Sequence, residues 1–134
     1  MPFVSVTRLR LRSWRFLPAF LFHAARSQRQ SKGADGNLTS EVLNDARLAF
    51  WTVTTWRDEA AMRGYMISGA HKVAMPKLME WCDEAATAHW NQDSTTPPTW
   101  AEAHARLVAD GRRSKVRFPS QAHVDYSIPA PRTR

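Results

Sequence analysis

Residues 3–11, FVSVTRLRL, are β-branched and alternating, which predicts a strand with Val4, Val6, Arg8 and Arg10 on one face and Phe3, Ser5, Thr7, Leu9 and Leu11 on the other. Behind Ser13, a candidate N-cap, Trp14, Leu17, Leu21 and Ala24 or Ala25 recur at helical spacing, and Pro18 lies near the first turn, where proline does least harm. The helix should fade at SKGADGN, residues 31–37, and a short, weaker strand follows over Leu38 to Leu43. The strongest strand signal is ARLAFWTVTTW, residues 46–56. Leu48, Phe50, Thr52, Thr54 and Trp56 alternate with Ala49, Trp51, Val53 and Thr55, so both faces are largely apolar. A sheet covered by helices on one side only would alternate apolar with polar; this strand needs a second cover, from a partner, a ligand or a loop.

The next segment, RDEAAMRGYMI, predicts a short helix with Thr55 as its cap and Asp58 in the first turn, interrupted by Ser68 and Gly69. A second helical stretch is expected from Ala70 towards Trp90, kinked near Pro76. His71, Met75, Leu78, Cys82, Ala86 and His89 then share one helical stripe, which places His71 and His89 about 27 Å apart and unable to share a metal. NQDSTTPPT reads as a loop. TWAEAHARLVADG reads as a short helix with Thr99 as N-cap, Glu102 at the capping-box position and Gly111 as the stop. SKVRFPSQAHVDYSIP predicts a last, extended edge segment broken by Pro119. The order is that of an α+β, ferredoxin-like βαββαβ fold with an interrupted second helix and an extra helix before the last strand. Residues 1–120 form one domain in this reading, and 121–134 an extended basic tail.

Charge alters the picture at both ends. Residues 1–34 carry seven bases and no acid, residues 35–110 carry a net −5, and residues 111–134 a net +5. An Arg-rich, acid-free start also matches the composition of a mitochondrial-type presequence, against which stands its good reading as structure. The longest apolar run, FLPAFLF, is far shorter than the roughly 20 residues that span a bilayer. Cys82 is the sole cysteine, which excludes an intrachain disulfide and a cysteine-rich zinc cluster and suits a reducing, cytoplasmic setting.

Catalytic motifs are scarce. No Walker loop, GxGxxG or Ser-His-Asp arrangement is present, and His23, His104 and His123 have no ligand spacing. Asp58 and Glu59 suit a helix dipole better than acid/base work. His71, three residues after Ser68 at a helix start, is expected to be neutral and able to accept a proton or bind a metal; its plainer role is to close the helix.

The run FWTVTTWRDEAAMRGYMISGAHKVAM, with W-x-x-E-A-A-M-R and S-G-A-H-x-x-A-M, resembles the dimeric α/β-barrel superfamily of antibiotic-biosynthesis monooxygenases, and within it small proteins related to spheroidene monooxygenase. The resemblance covers about residues 3–120. It implies a homodimer in which two sheets meet face to face, and oxygenation of a small hydrophobic or aromatic metabolite in a pocket between sheet and helices, either cofactor-free or with haem. His71 is the catalytic candidate; Phe50, Trp51, Trp56, Met66 and Met75 are the substrate-binding candidates, with Trp14 and Phe20 as further aromatics; no metal ligands are assigned. Where haem-degrading relatives place their iron-ligand histidine, this chain has Met75. Arg8, Arg10 and Arg117 are the candidate anion site, a cradle for haem propionates if first and last strands are neighbours. Rival readings are a non-catalytic ligand-binding barrel and a basic nucleic-acid-binding module, the latter opposed by the absence of the glycine and alternating aromatics of an RNA-binding strand.

Overall fold

The computed structural model describes residues 1–132. Strand β1 (Phe3–Leu11) runs through the middle of a five-stranded antiparallel sheet. Helix α1 (Leu17–Gly33) follows a 3-10 turn capped by Ser13, and leads to β2 (Asn37–Asn44) and β3 (Ala49–Trp56). Helices α2 (Glu59–Met66) and α3 (Gly69–Trp81) precede β4 (Cys82–Asn91); α4 (Trp100–Asp110), the two-residue β5 (Arg112–Arg113) and α5 (Gln121–Asp125) complete the chain. The strand order β2-β3-β1-β4-β5 is the ferredoxin-like arrangement extended by one short edge strand.

One element differs in kind from the expectation. The helix predicted to reach Trp90 ends at Trp81, and Cys82–Asn91 is strand β4, paired with β1 from Phe3↔Asn91 to Leu11↔Cys82. Alanine-rich CDEAATAHWN carries helix propensity, but without β4 one hydrogen-bonding edge of the central strand would be left open. Its small side chains let layers pack closely on both sides. The fourth strand of the ferredoxin unit is therefore β4, and the extra helix comes after it. Residues 114–129, expected as an edge strand, instead wrap the molecule, with Ser114 N–H donating to Ala85 O at 2.9 Å and Ser120 N–H to Asp83 O at 3.0 Å. The tail beyond residue 120 opens with the short α5 and packs back: Tyr126 Oη donates to Leu107 O at 2.6 Å. Residues 133–134 of that tail lie outside the described residues. β1 and α1, the segment whose composition also matches a presequence, are integral to sheet and helix layer.

The second cover that β3 demanded comes from the same chain. Val4, Val6, Trp51, Val53, Ala86, Ala88 and Trp90 pack against Ala103 and Leu107 of α4, with Trp100, Tyr126 and Ile128 beside them. Trp51 and Leu107 are completely buried without any partner subunit. The helices α1 and α3 cover the opposite face.

Candidate functional site

Between that opposite face and the helices lies a cavity of about 180 Å3. Its floor alternates out of the strands: Ser5, Thr7 and Leu9 from β1, Phe50, Thr52 and Thr54 from β3, Thr87 and His89 from β4. Its roof is Phe20, His23 and Ala24 of α1, Met66 at the end of α2, and His71, Ala74 and Met75 of α3. Phe20 packs on Phe50 with ring centroids 4.6 Å apart. The result is an apolar chamber crossed by a strip of serine and threonine hydroxyls, which suits a small hydrophobic molecule with a few polar atoms.

His71 is held from three sides. Gly69, at φ +58°, adopts a left-handed conformation that favours glycine and turns the chain into α3. Ser68 sits at the N-cap position but its hydroxyl donates to Gly64 O at 2.8 Å, leaving the helix end without a side-chain cap of its own. Gln30 of α1 substitutes for it: Gln30 Oε1 accepts from His71 N–H at 2.9 Å while its Nε2 donates to Ser68 O at 2.8 Å. The imidazole Nδ1 lies 3.1 Å from Met66 O, and the ring packs on Tyr65 at a centroid distance of 4.8 Å. A carbonyl only accepts, so Nδ1 carries the proton and Nε2 is left as a lone-pair acceptor with no hydrogen-bond partner among the described residues. Burial pushes the imidazole pKa below its ordinary value, outweighing the Met66 hydrogen bond, which pulls the other way. His71 thus presents an oriented imidazole whose Nε2 lone pair can accept a proton. Beside it, burial pushes the Tyr65 phenol up to about 12, and its hydroxyl donates to Ser27 O at 3.2 Å.

Of the expected substrate-binding residues, Phe50, Met66 and Met75 line this cavity, as does Phe20. Trp51 faces α4 on the other side of the sheet, with its Nε1 donating to Asp45 at 3.1 Å. Trp56 is sealed at the end of β3 with Phe3 and Met62, and Trp14 is 71% exposed. His89, expected about five turns of helix away from His71, lines the same cavity because β4 runs back past α3. Its signal was the two-residue alternation Glu84, Ala86, Ala88, Trp90 against Ala85, Thr87, His89. Thr87 Oγ1 donates to Val6 O at 3.0 Å and stands 3.4 Å from His89 Nε2. Cys82 is fully buried and its thiol is pushed up to about 12, chiefly by burial and further by Asp83, so it is chemically inert. Among the described residues no group of three or more histidine, cysteine or carboxylate side chains is arranged to hold a metal ion.

The basic stripe expected from Arg8, Arg10 and Arg117 is not formed, because the neighbour of β1 is β4 with its carboxylates. Arg8, only 5% exposed, donates to Glu84 at 2.7 Å, and Arg10 to Glu84 at 2.9 Å. Ser120 Oγ donates to the same carboxylate at 2.9 Å. Burial opposes ionisation of Glu84, but the hydrogen bonds from Arg8, Ser120 and Arg10 outweigh it and hold the pKa below its ordinary value. Arg117 is exposed and lies 3.9 Å from Glu80. Haem does not fit the cavity: its volume is below the roughly 300 Å3 at which ligand pockets usually begin. Arg8 and Arg10, the residues expected to hold propionates, project from the opposite face of the sheet. A wider groove of about 700 Å3, lined by Arg29, Arg57 and Tyr65 among others, is open to solvent, and its Arg57 is engaged by Asp35 at 3.5 Å. It has no enclosed reaction chamber.

The model of a family described as a domain of unknown function, DUF3291, matches residues 19–115. No curated protein matches the sequence. Among solved structures, Rv0793 from Mycobacterium tuberculosis superposes with a TM-score of 0.64 at 12% identity, over 70% of this chain and 97% of that one. A putative antibiotic biosynthesis monooxygenase from Nitrosomonas europaea gives 0.63 at 13% identity, over 71% and 93%. SnoaB, a cofactor-independent oxygenase from Streptomyces nogalater, gives 0.59 at 14% identity, over 72% and 98%. At these identities the likeness establishes the shared ferredoxin-like fold.

Proposed function

The chain belongs to the DUF3291 family, and we propose that on this monooxygenase-like fold it oxygenates a small hydrophobic or aromatic metabolite in the cavity between sheet and helices, without a cofactor. The observation that carries the reading is His71, a neutral imidazole pinned by Gln30 and Met66 with a free Nε2 acceptor at an apolar chamber. A substrate whose deprotonated form can itself hand an electron to oxygen needs three things from a protein: desolvation, orientation and a base. Phe20, Phe50, Met66 and Met75 supply the first two, and His71 Nε2 takes the proton.

Oxygen consumption measured with a panel of small phenols and hydroxylated bicyclic aromatics tests this. His71→Ala should lower kcat by about 10²–10⁴-fold, the usual worth of a general base, while ligand binding persists. Binding without turnover in the wild type would make the chain a non-catalytic ligand-binding barrel instead. Added haemin should leave the visible spectrum that of free haemin; a Soret shift abolished by His71→Ala would overturn the cofactor-free reading. The resemblance also implies a homodimer, but the sheet face across which the family pairs is filled here by α4, Tyr126 and Ile128. We read that face as covered from within one chain, with no partner on it. Light scattering should give the mass of one chain, and a stable dimer would refute this.

A further inference from the structure

The outer face of α1 and the turn before it carry an aromatic and basic surface that the fold does not use. Trp14 is 71% exposed, Phe22 59% and Leu21 46%, and Phe118 from the wrapping segment is 46% exposed. Arginines interleave with these rings. The Arg12 guanidinium stands 4.6 Å from the Phe16 ring centre and 4.4 Å from that of Phe118, Arg15 lies 4.7 Å from Phe16, and Arg26 5.5 Å from Phe22. Arg29 and Lys32 continue the exposed face of the helix towards its C-terminal end. Residues 1–34 contain no acid; Glu80 lies 3.9 Å from Arg117, and Asp35 lines one groove with Arg29.

We propose that this face docks the protein onto an anionic phospholipid bilayer. Exposed apolar side chains gathered in one patch mark contact with something other than water, and a cationic rim selects a negatively charged surface. Trp14 and Phe22 enter the headgroup boundary, where amphipathic aromatic rings are stable, while Arg12, Arg15 and Arg26 meet lipid phosphates. A nucleic acid would be held by phosphate contacts with bases read or stacked in a groove. Here the aromatics stand on the exposed face of a helix and of the turn before it, with arginines packed against the rings. The proposal is independent of the chemistry assigned to the cavity, although the inner face of the same helix lines it through Phe20, His23 and Ala24.

Co-sedimentation of the full chain with vesicles tests it, using phosphatidylcholine alone and phosphatidylcholine mixed with phosphatidylglycerol. The mixed vesicles should carry the protein down and the neutral ones should not, with binding weakened by salt. Each arginine reversed to glutamate at positions 15 and 26 should weaken binding by more than about fivefold. Trp14→Ser with Phe22→Ser should abolish binding while leaving the circular dichroism spectrum unchanged, since neither side chain is in the core. No sedimentation with either vesicle would overturn the proposal. So would binding indifferent to Trp14→Ser and Phe22→Ser, a preference for duplex RNA or DNA lost on the same arginine reversals, or a lipid-free dimer that dissociates when Trp14 and Phe22 are replaced.

Discussion

The two faces of one sheet have opposite character. Towards α4, β1, β3 and β4 present Val4, Val6, Trp51, Ala88 and the Arg8–Glu84 pair, and the space is filled by side chains. Towards α1 and α3 the same strands present Ser5, Thr7, Thr52, Thr54 and Thr87, and a chamber remains. Because adjacent residues of a strand point to opposite sides, eight residues of β3 serve both purposes at once. One face holds the fold together. The other can afford hydroxyls and empty volume because it does not have to.

The most severe test of that division is a pair of neighbours. Trp51→Ala should cost about 3–5 kcal/mol, since Trp51 is fully buried and its removal also strands Asp45 without the indole N–H. Phe50→Ala, next along β3 but bordering the cavity, should cost distinctly less. Urea denaturation of the two variants measures both; equal losses would erase the distinction between the faces.

The ion pair gives the next effect. Glu84→Ala leaves the buried Arg8 guanidinium uncompensated and should cost about 3 kcal/mol. Replacing Arg8 and Glu84 together by Met and Leu should recover most of it. A double variant no better than Glu84→Ala would mean that Ser120 and Arg10, not Arg8, depend on the carboxylate. Acid should act on the same pair. The Glu84 pKa is held below its ordinary value, so its contribution is present above the ordinary carboxylate range and lost as pH falls through the lowered value.

Adding volume should separate the faces with a smaller effect. Ala24→Leu places its extra carbons in the cavity and should change stability by no more than about 1 kcal/mol while abolishing ligand binding. Ala88→Leu, at 3% exposure in the packed face, should cost about 1–3 kcal/mol through overpacking. Thermal melts and a ligand titration read both.

The packed face was far more legible in the sequence than the cavity. β1, α1, β3 and α4 follow from alternation, helical spacing and the Thr99 cap, whose hydroxyl does accept from Glu102 N–H at 3.1 Å. The demand of β3 for a second cover was also readable, but not that α4 and residues 126–128 would meet it, because that depends on how the chain wraps back after β4. β4 was hidden by composition: its alanines suit a helix, and only tertiary pairing with β1 makes them a strand. That single difference removed His89 from the site and placed Arg8 beside Arg117 instead of Glu84. Asp58 was expected in the first turn of α2; it is the N-cap, accepting from Ala61 N–H at 2.9 Å. The cap of α3 was unreadable for a different reason: Gln30 lies forty-one residues before His71, and no local pattern announces it.

The smallest expected effect bears most directly on the chemistry. Burial lowers the His71 pKa in the folded protein from the ordinary 6.5, so between that lowered value and 6.5 the unfolded chain holds a proton that the folded chain does not. Stability should be fully present above that window and decline as pH falls through it. The side chains fixed around the ring, Tyr65 and Gln30, carry no negative charge to offset the burial. Melting temperatures compared between about pH 7.5 and 5.5 should therefore fall less steeply in His71→Gln than in the wild type. Identical slopes would mean that His71 protonates as freely in the fold as out of it. In that case the imidazole would not stay a neutral acceptor at mildly acid pH, and the cavity would have lost the base that the proposed chemistry needs.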